Sequence, residues 1–296
     1  MKVVVAGGLG LVGSRLVWEL TQRGHVVASA SRRTGVNTLT GEGLERVLIG
    51  ADVLVDVTNA PSFDEPDVRE FFQRSTQNLV DAAAYADIKH HLALSVVGTQ
   101  RLVESAYFRA KAIQESILRR SRRPHTLVRS TQFYEFMANI IPPGSGREAV
   151  ALPPALVQPV AAEDVAVILA DFVEDGPSEP VIELAGPELH RLCDLVQWVM
   201  YSFQDNRSMV VNPSVRYYGA VLDNDTLTPT GTARLGPTFF GDWLQTYLGS
   251  GGQIPKVHHP NPMNVDSSGR QVADLSAKHP SRSSAIAPSA RQFVPQ

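Results

Sequence analysis

The sequence predicts an α/β fold built on a doubly wound parallel sheet, followed by a small C-terminal lobe and a disordered tail. Three observations lead there. Apolar runs of strand length alternate with helical periodicity from the first residues to about Arg129. The strand candidates are apolar almost throughout rather than at every second position, as burial on both faces of a parallel sheet requires. The composition then changes abruptly near residue 250.

Taken in order, the strand candidates are 3–6, 26–30, 53–57, 92–97 and 126–129, and the helices between them are 11–23, 66–86 and 104–119. A β-α-β-α rhythm of this kind specifies parallel strands joined by right-handed crossovers, with helices on both faces. After Arg129 the rhythm loosens into a helix at 162–174, a strand at 181–184, a helix at 192–203 and a last helix at 239–248. The expectation is one domain over 1–249, with a core of about 1–130 and a lobe of 131–249. Residues 250–296 hold six Pro, eight Ser and three Gly, with Phe293 as the only aromatic. Such a segment buries too little apolar surface to offset its conformational entropy, so it is expected to be a disordered tail.

Charge and cysteine content exclude several classes. The 296 residues carry 27 basic and 30 acidic side chains, a net of -3. Five of the basic and two of the acidic groups lie in the tail, which leaves 22 and 28 in the folded part. An acidic domain is a poor phosphate-backbone binder, so no nucleic-acid partner is expected for it; the basic tail is the expected place for any unidentified protein partner. A single cysteine, Cys193, forms no internal disulfide and no multi-cysteine metal site. No apolar run reaches the length of a membrane span, and the opening residues lack a signal-peptide pattern, so a cytoplasmic location without membrane contact is expected.

The first strand runs into Gly7-Gly8-Leu9-Gly10-Leu11-Val12-Gly13, and a helical pattern follows at once. Glycines between a strand and a helix allow a tight turn and close approach of backbone amides to a pyrophosphate, with helix packed closely on strand. The helix N-terminus adds partial positive charge. This context makes the domain a Rossmann-like dinucleotide binder, with all seven residues of the turn as cofactor ligands. Past the second strand come Ser31, Arg32 and Arg33, with no acidic residue before Glu42. NAD sites place a carboxylate here for the ribose hydroxyls, whereas guanidiniums suit a 2′-phosphate, so NADP is expected over NAD.

Tyr107 and Lys111 stand four residues apart at the start of a helix candidate and so share one face. A cation near a tyrosine favours the phenolate and prepares the group for proton transfer. Ser95, twelve residues before Tyr107 and at the carboxyl end of a strand, is the expected donor to a substrate carbonyl. These segments, together with Asp56-Val57-Thr58-Asn59, residues 126–133 and Ala185-Gly186-Pro187-Glu188, resemble the NmrA-like group of atypical short-chain dehydrogenases/reductases over about residues 1–190. The resemblance implies Tyr107 as proton donor or acceptor, Lys111 as a ribose ligand that lowers the Tyr107 pKa, and Ser95 as the group that orients the carbonyl. It also implies that Thr58 and Asn59 border the cofactor, and that Gln132 and Phe133 flank the nicotinamide and a small-molecule substrate.

The resulting expectation is an NADP-dependent oxidoreductase acting on a small carbonyl or quinone-like compound. Its rivals are a non-catalytic redox-sensing regulator and an epimerase that uses bound NADP transiently. Helices 66–86 and 104–119 could form a homodimer face. His90-His91 and His258-His259 lack a carboxylate at ligand spacing, so no metal is assigned. The arginines at 119, 120, 122 and 123 read as a helix end, and Cys193 as core.

Overall fold

The computed structural model describes residues 1–141, 149–177 and 179–250. Most of the tail, from residue 251, lies outside the described residues.

Valine-rich segments supply the strands of the N-terminal region: β1 (Lys2–Ala6), β2 (Val26–Ala30) and β3 (Val53–Asp56). They are followed by β4 (His90–Val96) and β5 (His125–Ser130). Helix α1 (Leu11–Gln22) crosses from β1 to β2 and stops just before Gly24, whose φ of 83° few other residues adopt. Between β2 and β3 there is no further strand, only a turn at Arg32–Thr34 and the short helix α2 (Leu44–Leu48). Helices α3 (Asp67–Tyr85) and α4 (Ala106–Arg120) make the next two crossovers.

The chain past Ser130 does not form a lobe alone. Two short strands, β6 (Val150–Leu152) and β7 (Leu156–Val157), lead to α5 (Ala162–Asp175), which packs on α1. Strand β8 (Val181–Ala185) then pairs in parallel with β5. After β9 (His190–Arg191), α6 (Leu192–Ser202) and β10 (Met209–Val211), strand β11 (Arg234–Leu235) joins the sheet edge, and α7 (Phe240–Gly249) follows. The expected substrate-side lobe of 131–249 is therefore shared: α5, β8 and β11 complete the sheet layer. A separate apolar core gathers residues of α6, β6 and β7 with Tyr134, Tyr217 and Phe240.

The main sheet has the order β11-β8-β5-β4-β3-β1-β2, parallel throughout. Strand order reverses at β1, which lies between β2 and β3, and a ligand crevice is expected beyond the carboxyl ends of strands at such a point. Alternation divides the side chains between the two faces. Val3, Val5, Val53, Val55 and Leu92 meet α1 and α5. On the other face Val4, Ala6 and Leu54 meet α2 and α3, while Ala93 and Leu127 pack with Leu118 of α4. Among the described residues no helix is long and apolar enough to cross a membrane.

Candidate functional site

A cleft of about 480 Å³ opens at the carboxyl ends of β1, β3, β4 and β5. One wall is the glycine turn. Gly7 has φ 82°, and a side chain there would also meet the carbonyl of Val57 at 2.8 Å. A Cβ on Gly13 would sit 2.2 Å from the Gly7 carbonyl oxygen, so the close contact of helix and turn requires glycine at this position. Gly7, Leu9, Gly10, Leu11 and Val12 line the cleft, while Gly8 packs beneath against Ser29. Helix α1 starts at Gly10 with no side-chain cap and no acidic residue in its first turn, so its positive end stays available to an anion.

Of the three residues expected after β2, Ser31 and Arg32 line the cleft and Arg33 does not. Ser31 is engaged in a capping box with Thr34. Arg32 is exposed, and no acidic side chain lies among the residues that line the cleft. Asn37, Thr38 and Leu39 extend this end of the cleft. Their position follows from the chain forming a loop where another strand could have run, which no local motif signals.

Past β3, Thr58 and Asn59 line the cleft. Thr58 donates to the buried Asp56 carboxylate from both its amide (3.0 Å) and its hydroxyl (2.6 Å), and Gln114 of α4 donates to the other oxygen at 2.9 Å. The cleft floor is thereby tied to α4.

Helix α4 brings Tyr107 and Lys111 into the same cleft, but their electrostatics differ from the sequence expectation. Lys111 is 3% exposed; its Nζ donates to the Leu94 carbonyl at 2.9 Å and lies 4.6 Å from the centre of the Phe72 ring. Burial pushes this amine down to about 8, against the pull of Asp56 and Glu115. Tyr107 moves the opposite way from the expected lowering: burial raises its phenol above the ordinary value. Desolvation outweighs any help from Lys111, whose ammonium is directed at a carbonyl. Tyr107 is thus a protonated acid in the resting protein.

Ser95 lines the cleft, and its hydroxyl is engaged within the protein. Alternation along β4 turns the side chain of Ser95 toward α4, where its hydroxyl donates to Glu115 Oε1 at 2.7 Å. Glu115 further accepts from Thr99 at 3.2 Å and from Arg129 at 2.9 and 2.6 Å. Burial disfavours this carboxylate, yet the bonds from Arg129 and Ser95 outweigh it and hold the group below its ordinary value. Ser95 therefore belongs to a buried ionic cluster, and its proton is not offered to the cleft. Its neighbours Leu94 and Val96, which also line the cleft, are apolar.

Gln132 and Phe133 line the cleft just past the end of β5, with the Phe136 ring tilted against Phe133 at 5.2 Å. Gln132 is 7% exposed, and its Oε1 has no hydrogen-bond partner in the protein. An orphaned acceptor of this kind calls for a donor from outside the chain. Sequence reasoning missed the aromatic residues around Tyr107: Phe63 at 4.4 Å, Phe108 at 5.5 Å, Tyr218 at 5.7 Å and Phe72 at 6.1 Å between ring centres. Only Phe108 and Phe72 carried a helical signal; Phe63 and Tyr218 stand on loops.

The glycine cradle, the free helix end, Arg32 and the orphaned Gln132 acceptor fit a nicotinamide dinucleotide along this cleft. His90 and His91 are buried in β4, where His90 Nε2 and the Thr126 hydroxyl are 3.0 Å apart. No group of three or more metal-ligating side chains is assembled among the described residues.

Comparison with known proteins agrees with this geometry. Residues 3–111 match the model of the NAD dependent epimerase/dehydratase family. No curated protein shows a significant match to the chain. The fold is similar to dTDP-4-dehydrorhamnose reductase of Bacillus anthracis in complex with NADP, with a TM-score of 0.64 and 12% identity over 84% of this chain and 98% of that one. It is also similar to a short-chain dehydrogenase/reductase superfamily protein of Agrobacterium tumefaciens with bound NAD (TM-score 0.63, 14% identity, 84% and 97%). UDP-glucuronic acid 4-epimerase of Bacillus cereus, in complex with NAD, gives a TM-score of 0.60 at 14% identity, over 86% and 98%. The NmrA-like subgroup is not the one whose model matches.

Proposed function

From a short-chain dehydrogenase/reductase fold whose residues 3–111 match the NAD dependent epimerase/dehydratase family, we propose that this chain is an NADP-dependent oxidoreductase reducing a small carbonyl or quinone-like compound. The observation that carries the reading is that the glycine cradle, Lys111 and a protonated Tyr107 share one cleft at the switch point of the sheet. Arg32 at the other end, without an acidic neighbour in the lining, favours a 2′-phosphate over a free ribose hydroxyl.

When bound, the dinucleotide supplies a hydride, which carries two electrons. The chain supplies the proton. The Tyr107 O–H bond breaks as the substrate oxygen gains hydrogen, and the tyrosinate recovers a proton from solvent after the product has left. A phenol held protonated by burial suits the reducing direction, because it enters the reaction as an acid. Lys111 and Gln132 line the channel that would hold the nicotinamide and its ribose, and aromatic side chains exclude water around the reacting oxygen.

Fluorescence titration with NADPH and NADH tests the cofactor, and NADPH should bind at least tenfold more tightly. Tyr107→Phe should keep that affinity and lose at least 100-fold in turnover across a panel of aldehydes, ketones and quinones. Tighter NADH binding, or full turnover by Tyr107→Phe, would count against the reading.

A further inference from the structure

The end of the cleft around Tyr107 is built from side chains that no local motif specifies. Phe63 comes from the segment between β3 and α3, and Tyr218 from a hairpin between β10 and β11. Their rings are 5.5 Å apart and both pack on Tyr107, at 4.4 and 5.7 Å. Phe71, Phe133 and Phe136 continue the apolar lining.

Tyr218 holds its place against its own backbone preference. Tyr217 and Ala220 exchange both backbone hydrogen bonds, at 2.7 and 3.0 Å, which closes a two-residue hairpin over Tyr218 and Gly219. Both central residues have positive φ, 47° for Tyr218 and 85° for Gly219. This is the turn that Asn-Gly or Asp-Gly fills without strain; a bulky aromatic at the first central position is disfavoured. A residue kept in a strained conformation at a cleft points to a use for its side chain. The turn is also fastened from outside, because Arg216 Nη1 donates to the Gly219 carbonyl at 2.9 Å and to Glu104 at 2.7 Å.

Charge narrows what this end can hold. Among the described residues lining the cleft, Arg32 and Lys111 are the only cations, and Lys111 is bonded to the Leu94 carbonyl. Arg216 and Arg109, which flank lining residues in the sequence, are committed, Arg216 to Glu104 and Arg109 to Glu65 at 2.8 Å. A nucleotide-sugar carries a diphosphate that needs Arg or Lys at this end. An uncharged planar ring is served instead by an aromatic wall, which adds ring contacts to apolar burial.

We propose that Tyr218 is a specificity-determining residue, which with Phe63 forms an aromatic wall beside Tyr107 that selects an uncharged, planar aromatic carbonyl compound of the quinone class. The inference rests on the oxidoreductase reading above and names the substrate class of that same site.

The test uses the full chain, 2-naphthol as a redox-inert planar probe, and 1,4-naphthoquinone as substrate. Tyr218→Asn removes the ring and places in the turn a residue that accepts positive φ, which offsets part of the packing lost with the ring, and the thermal midpoint shows that the fold is retained. Binding of 2-naphthol, read by quenching of protein fluorescence, should weaken at least tenfold. KM for 1,4-naphthoquinone should rise by a similar factor with kcat within threefold, and the NADPH Kd should stay within twofold. Tyr218→Phe, which keeps the ring, should bind 2-naphthol within threefold of the original. Unchanged 2-naphthol affinity in Tyr218→Asn would overturn the proposed role of Tyr218, as would UDP-glucose displacing the probe at micromolar concentration. A protein that binds 2-naphthol with this Tyr218 dependence but not NADPH would overturn the oxidoreductase reading and leave the role of Tyr218 standing.

Discussion

Replacing Ser95 with alanine separates a structural serine from a catalytic one. The Ser95 hydroxyl is buried and donates to an ionised carboxylate at 2.7 Å. A hydrogen bond to a charged partner contributes about 1.5–3 kcal/mol. Glu115 keeps both Arg129 contacts and the Thr99 hydroxyl in the variant, so it is not left unpaired. The cost should fall at the lower end, about 1.5 kcal/mol. For a domain of this size that corresponds to a thermal midpoint lower by roughly 3–6 °C. Turnover of the best substrate should stay within about threefold, because no proton is withdrawn from the cleft. Differential scanning fluorimetry and steady-state NADPH oxidation, run on one preparation, read both quantities. A serine that polarises the carbonyl would behave in the opposite way, with kcat down about 100-fold or more and the midpoint unmoved. That result would refute the assignment of Ser95 to the Glu115 cluster.

Two further outcomes follow from the geometry. Gly13→Ala should destabilise the fold by about 2 kcal/mol or more, since the new methyl meets a backbone carbonyl at 2.2 Å that cannot swing away; Gly10→Ala, with 3.2 Å to the same oxygen, should cost clearly less. Equal urea midpoints for the two variants would contradict this account of the turn. Burial depresses His90 and His91 to about 4, so the stability they contribute is present above the ordinary histidine value and is lost as pH falls toward 4. Between pH 7 and pH 5 the loss should reach about 2 kcal/mol for each histidine. Urea unfolding at the two pH values should show it, and a His90→Gln/His91→Gln double variant should lose most of the difference; an undiminished pH effect would assign it elsewhere.

The sheet was legible because its signals are local. Runs such as Val3-Val4-Val5 and the glycines before Leu11 state both strand and turn, and all five early strands and the main helices were placed to within two residues at nearly every end. Where the sequence misled, the cause was direction. Ser95 stands in the right strand and lines the cleft, but nothing in the local sequence shows that its hydroxyl is bonded to Glu115 of α4. The Tyr107–Lys111 pair was found by spacing, while the sign of the Tyr107 shift depends on burial that spacing does not contain. Phe63 and Tyr218 were invisible because loops bring them to Tyr107 from separations of 44 and 111 residues. The short β6, β7, β9, β10 and β11 were missed because two or three residues carry no period.

The Glu115 cluster has a mechanical consequence for the cleft. Tyr107, Lys111 and Glu115 succeed one another at single-turn intervals along α4, and the latter two are bonded to the sheet at Leu94, Ser95 and Arg129. Rotating or sliding α4 by one residue would break all of these bonds together, so Tyr107 is anchored through α4 to the sheet. Any movement that admits a substrate must therefore come from the opposite wall, where the Phe63 loop and the Tyr218 hairpin are held to α4 and its approach by exposed ion pairs. Such pairs are weak and salt-sensitive. Tyr107 is thus held by buried bonds while its aromatic neighbours are held by exposed ion pairs, and raised salt should loosen the Phe63 loop and the Tyr218 hairpin before it disturbs α4.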